Sequence, residues 1–297
     1  MAAKDLSAEP LVAGFVALYG ATDFLDQFTT AALEGTGDFA GKSDVARTVA
    51  AKKNLQATLV LYANHEAEEA IEQAAAGVAL NAEKAPGSNN IYYDEYWAFW
   101  YGLTGIDAPH EVTVKRDADF GTMSANAAYA AFAEGRDAAL AADAAGIRAA
   151  QADINAAILT TFLQATLKYS YKVQAGGNDK DWAEGYTYWR VMAGAVAAAD
   201  LETAKAIDAL WDMSAASIDT LASDVHCQIM HLLYDALPIM GISYSALGEL
   251  TQDHGKGIVI PEGICDDESS GAAESKARLL TSTVAAMMGS LLAGLLL

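Results

Sequence analysis

The chain has 297 residues, with 18 Lys and Arg against 39 Asp and Glu and a formal net charge of −21. That balance excludes nucleic acid as a partner, because binding it rests on neutralising phosphates with basic side chains. No G-x-S-x-G, Walker A, dinucleotide or H-E-x-x-H pattern occurs, so no motif speaks for catalysis.

Met1–Pro10 carries Asp5 and Glu9 and lacks the basic n-region of a signal peptide. Beyond it Ala, Leu, Glu, Lys and Gln fill long stretches, and these are the strong helix formers. The five prolines, at 10, 86, 109, 238 and 261, fit boundaries or loops. The expected helices run over about 11–33, 44–80, 91–103, 124–145, 148–174, 180–198, 200–222 and 224–236. Linkers are expected near 35–41, 85–90, 104–122, 175–179 and 241–267. No alternating strand pattern recurs, so the fold class is all-α, a helical bundle over 11–267.

An internal duplication is visible. Leu55-Gln-Ala-Thr-Leu59 recurs as Leu163-Gln-Ala-Thr-Leu167, and Glu95-Tyr-Trp-Ala-Phe-Trp100 resembles Glu184-Gly-Tyr-Thr-Tyr-Trp189. The expected bundle is built from a repeated long-helix/short-helix unit, about 44–105 and 148–198.

Two places concentrate groups with chemical potential. On the first long helix Tyr62, Glu66, Glu69 and Gln73 share a face, with His65, Glu69 and Glu72 on the adjoining stripe. Phenolate, carboxylate and imidazole suit iron(III) and other hard or borderline metals, although such a run also makes an ordinary solvated acidic face. On the short helices Glu95 and Glu184 hold corresponding places among aromatics, as ligands or as groups favouring a helix N-terminus. Cys227 and Cys265 read most simply as one disulfide in an exported protein, with two unpaired thiols as the alternative.

The last nineteen residues, Leu279–Leu297, carry no charge. Small residues around Ser269, Ser270 and Gly271, a polar spacer and this apolar tail match a glycosylphosphatidylinositol attachment signal at 268–297. A permanent tail-anchor helix is the alternative. The first reading places the protein outside the plasma membrane, held on its outer face by a lipid.

The anchor signal, the cysteine pair, the duplicated helices and the segment Trp182-Ala-Glu-Gly-Tyr-Thr-Tyr-Trp-Arg190 together resemble the algal Fe-assimilating proteins, which are grouped with the phytotransferrins. Ile242-Ser-Tyr-Ser-Ala-Leu-Gly248 is similar to that family too. The resemblance covers Leu11 to Asp267. It implies periplasmic iron(III) capture for assimilation, without turnover, and an uptake partner at the cell surface. It also implies carbonate as a synergistic anion, with Arg190 a candidate contact. The expected metal site joins Tyr62, His65, Glu66 and Glu69 to Glu95 and, across the pseudo-repeat, Glu184. Tyr171 and Lys172 stand where a second acidic cluster would be, which speaks against two equivalent sites. The rivals are an acidic cell-surface structural or interaction protein without metal, and a di-metal carboxylate oxidase.

Overall fold

Alanine-rich sequence with few Gly and Pro breaks gives helices, and tertiary burial decides which of them lie inside. The computed structural model describes residues 10–80, 91–102, 108–215, 217–221, 223–258 and 265. Among these are eleven α-helices and one two-stranded hairpin, an all-α bundle as expected. The helices are α1 (Pro10–Tyr19), α2 (Phe24–Glu34), α3 (Asp44–Ala75), α4 (Tyr92–Tyr101), α5 (Pro109–Phe120), α6 (Ser124–Leu140), α7 (Ala144–Gln174), α8 (Asp179–Ala199), α9 (Leu201–Trp211), α10 (Val225–Ala236) and α11 (Tyr244–Leu247). Strands β1 (Gln252–Asp253) and β2 (Lys256–Gly257) pair antiparallel.

The chain divides into two compact units, Met1–Val259 and Ile260–Leu297. Of the second, Cys265 alone is described, and it forms a disulfide with Cys227 of α10. The expected attachment site, Ser269 to Gly271, and the apolar tail lie outside the described residues.

Helices α7 and α8 form the centre. Every residue from Thr160 to Ser170 and from Asp181 to Gly194 is buried, so these stretches have no solvent face. Their hydroxyls turn back on their own helices: Thr161 donates to Ala157 O, Thr166 to Phe162 O and Thr187 to Ala183 O. Helix α8 starts on a capping box, with Asn178 Oδ1 accepting from the backbone of Lys180 and Asp181. Helix α3 packs on α8 and α7, while α5, α6 and α10 cover α7.

Several expected boundaries move. The segment 11–33 is two helices, because Gly20 has φ 73° and turns the chain before Phe24. The expected linker 104–122 contains α5, with Pro109 in its first turn, Glu111 near its N-terminus and Gly121 closing it in the left-handed region. A lone proline between polar residues looks like a break, yet at the first helical turn it is a start signal. The segment 200–222 stops being α-helix at Trp211.

The two sequence copies do not occupy equivalent places. Leu55 is 56% exposed and eleven residues into α3, whereas Leu163 is fully buried and nineteen residues into α7. Helix α4 has ten residues and α8 twenty-one. The expected duplication is thus not shown by the architecture of the described residues.

Candidate functional site

The segment Trp182–Arg190 divides its residues between packing and a cavity. Trp182 donates from Nε1 to Trp211 O at 2.6 Å, and Trp189 donates to Asp208 Oδ1 at 2.9 Å. Gly185 faces Trp211 so closely that a Cβ there would lie 2.2 Å from the indole ring. Arg190 is enclosed by aromatic rings, 4.0 Å from Tyr19 and 4.3 Å from Phe28, in a cation–π box that ties α1 and α2 to α8. The expected anion contact does not line the cavity described next. The remaining stripe of α8, Lys180, Glu184 and Tyr188 at steps of four, turns to that cavity.

The cavity has a volume of about 170 Å³. Helix α3 contributes Lys53 and Gln56; α5 contributes Glu111, Val112, Lys115 and Arg116; α7 contributes Tyr169; α8 contributes its stripe; the β1–β2 turn contributes His254. Four cationic side chains face two carboxylates in a chain whose net charge is strongly negative. Lys115 pairs with Glu111 at 2.5 Å and Lys180 with Glu184 at 3.2 Å. Lys53 has no ion-pair partner among the described residues; its Nζ stands 5.5 Å above the Tyr188 ring.

Behind the wall lies a buried ion network. Arg116 pairs with Asp119 at 2.6 Å, and Lys168 reaches Asp119 at 2.9 Å and Asp253 at 2.5 Å. Lys172 pairs with Asp181 at 2.5 Å. Three cations and three carboxylates balance there, so the surplus charge at the cavity is that of Lys53. Arg116 is 2% exposed, and its Nε has no hydrogen-bond partner among the described residues. A buried donor left unmade costs about 1–3 kcal/mol.

The phenols act as donors. Burial, reinforced by the Glu184 charge, pushes Tyr169 and Tyr188 well above the ordinary phenol range, so both keep their protons at neutral pH. Tyr169 also shares a hydrogen bond with Glu184. Burial and the neighbouring Lys168 charge hold the His254 imidazole below its usual range, so it adds no charge at neutral pH. His254 is placed by a strap: Glu249 N donates to Phe120 O, Thr251 N to Asp119 O, and His254 N to Asp119 Oδ1.

The six expected metal ligands do not converge. Tyr62 is 38% exposed and packs its ring on Phe99, with centroids 5.5 Å apart. His65 and Glu66 are buried, and His65 Nε2 lies 3.6 Å from Glu69 Oε1. Glu95 sits in the first turn of α4. Glu184 shares the cavity with Gln56, which is ten residues from Glu66, or about 15 Å along α3. Among the described residues no three His, Cys, Asp or Glu side chains are arranged to hold a metal ion. The acidic run is divided among local duties instead; Glu68, for instance, receives Gln151 at 2.9 Å and Arg148 at 3.3 Å from α7.

Sequence reading found Glu184 and missed the rest of the cavity. Lys115 and Arg116 lie in a segment read as a linker, and Lys53 lies on a helix read for the acids further along it. The spacing Lys180, Glu184, Tyr188 was the available signal. No protein-family model matches this chain, nor does any curated protein or solved structure.

Proposed function

We propose that this protein is a non-catalytic binding protein that captures a small oxyanion, of carbonate or phosphate size, in the cavity between α3, α5, α7 and α8. The observation that carries this reading is Lys53, which has no ion-pair partner among the described residues and lines one cavity with Lys115, Arg116 and Lys180. Neutral Tyr188 adds an O–H group to the same lining, while the Tyr169 proton is engaged by Glu184. Guanidinium and ammonium groups beside phenol donors suit an oxyanion better than a bare cation. No Ser, Thr or Cys lines the cavity among the described residues, which favours binding over nucleophilic chemistry. The Cys227–Cys265 disulfide supports an oxidising compartment, in keeping with placement at the outer cell surface.

A second reading adds iron(III). Glu111, Glu184, Tyr169 and Tyr188 bring hard oxygen atoms to the same cavity, in line with the resemblance to iron-assimilation proteins. A bare trivalent cation would meet four cationic side chains and protonated phenols. Iron(III) therefore enters, on this reading, with the oxyanion, which offsets the cavity charge.

Thermal melting tests both readings. A ligand bound by the native state alone, at a hundred times its Kd, stabilises it by about 2.7 kcal/mol. Bicarbonate or phosphate should raise the melting temperature, and iron(III) should raise it further only when the anion is present. No shift with either oxyanion would overturn the first reading. Iron(III) without effect in the presence of bicarbonate would remove the second.

A further inference from the structure

Helices α6 and α7 run antiparallel and close. A Cβ added at Gly135 would lie 2.7 Å from the Ala150 Cβ, and one at Gly146 would lie 2.8 Å from that of Ala138. Carried along the pair, this register sets Ala127 against Ala157 and Ser124 against Thr160. Side chains as small as alanine do not fill the space between the helices there. An open groove of about 340 Å³ remains, walled by alanines of both helices and by Ala246 of α11. It shares no lining residue with the cation-lined cavity.

The polar groups are sorted along the groove. Glu134 of α6 and Asp153 of α7 line one end, and neither carboxylate makes an ion pair or hydrogen bond among the described residues. No Lys, Arg or His lines the groove among the described residues. Asp153, Ala157 and Thr160 share one face of α7, so Thr160 stands about 10 Å along the helix from Asp153. Thr160 is only 4% exposed. Nearby Thr161 and Thr166 turn their hydroxyls back to carbonyls of their own helix, but the Thr160 hydroxyl makes no hydrogen bond among the described residues. Its oxygen is not sealed in the core, and the space that it lines is the groove.

We propose that this groove binds an amino alcohol, a primary alkylammonium ion whose carbon chain ends in a hydroxyl. The ammonium group sits between Glu134 and Asp153, where a lining without cations leaves two carboxylates uncompensated. The carbon chain lies on the alanines. The ligand hydroxyl meets Thr160 and Ser124, whose own hydroxyls both donate and accept. A chain of about five carbons, with a hydrogen bond at each end, covers the distance between the two ends. A bare divalent cation is poorly served, since alanine walls supply no further oxygen ligands.

The test titrates 5-aminopentanol, pentylamine, pentanol and magnesium ion into the full chain by calorimetry. 5-Aminopentanol should bind at one site, pentylamine about fivefold more weakly, and pentanol not at all. Glu134→Gln and Asp153→Asn should each weaken both amines at least about tenfold, with circular dichroism unchanged because both side chains are exposed. Thr160→Val combined with Ser124→Ala should bring the two amines to equal affinity. Asp137→Asn, which removes an exposed acid of α6 outside the lining, should alter nothing, and neither should Lys53→Met in the oxyanion cavity. Equal weakening by Asp137→Asn would mean that the field of the whole acidic chain gathers the amine, and would overturn the proposal. So would pentanol binding as tightly as the amines, a preference for 5-aminopentanol that survives the Thr160 and Ser124 substitutions, or magnesium binding that Asp153→Asn abolishes while no amine binds.

Discussion

Lys168 Nζ meets Asp119 Oδ2 at 2.9 Å, with neither side chain in contact with solvent. The pair joins the C-terminal part of α7 to the end of α5, and Asp119 in turn accepts from the backbone of His254 on the strap. One carboxylate therefore holds together the helix that supplies Arg116 and the turn that closes the cavity.

Lys168→Met should cost about 3–5 kcal/mol, because it leaves buried carboxylate charge short of a partner. Urea denaturation followed by circular dichroism measures it. A loss below about 1 kcal/mol would mean that Arg116 alone satisfies Asp119 and that the network is redundant.

The Cys227–Cys265 disulfide closes a loop that contains the whole strap, from Tyr244 to Ile258. By loop entropy such a closure contributes about 3–4 kcal/mol. Cys227→Ser with Cys265→Ser should lower the melting temperature, as should a dithiol reductant acting on the unmodified chain. An unchanged melting temperature in both cases would place the stabilising effect of the loop near zero.

His226 sits in the core with Nδ1 2.8 Å from Ser170 Oγ, and burial lowers its pKa from 6.5 to about 4. The unfolded chain takes up a proton near pH 6.5 that the folded chain refuses until about pH 4. The contribution of this residue to stability is thus complete above pH 6.5 and is lost as pH falls towards 4, by on the order of 3 kcal/mol. Stability measured from pH 7.5 to 4 should fall more steeply for the unmodified chain than for His226→Asn. Parallel curves would contradict this.

The glutamates are expected to separate by position. Glu184→Gln should strengthen oxyanion binding, since it removes a carboxylate charge from the cavity and frees Lys180 from its ion pair. Glu66→Gln and Glu95→Gln should leave the affinities for oxyanion and iron(III) unchanged, because neither side chain lines the cavity. An effect of Glu95→Gln equal to that of Glu184→Gln, read by calorimetry, would restore the acidic-helix site.

Composition made the all-α class legible, since Ala-rich stretches with few breakers leave little else. The helix ends were less so. Pro109 was read as a break when its place in the first turn of α5 made it a start, and that hid Lys115 and Arg116. The acidic run 62–72 drew attention because like charges on one face ask for compensation. At Glu68 the compensation comes from Arg148 and Gln151 on α7, far away in sequence, which periodicity within one helix cannot reveal. Glu184 was legible from its correspondence to Glu95 among the aromatics. Lys53 matters because of the ion-pair partner it lacks among the described residues, and that is a property of the folded arrangement.

Calorimetric titration of bicarbonate and phosphate into three proteins tests the cavity's role most directly: the unmodified chain, Lys53→Met and Lys52→Met. Both substitutions remove one positive charge from α3, but only Lys53 lines the cavity. Single-site binding by the unmodified chain, weakened at least about tenfold by Lys53→Met and unaltered by Lys52→Met, is the expected result. No binding of either anion to the unmodified chain, or equal weakening by the two substitutions, would contradict an oxyanion site.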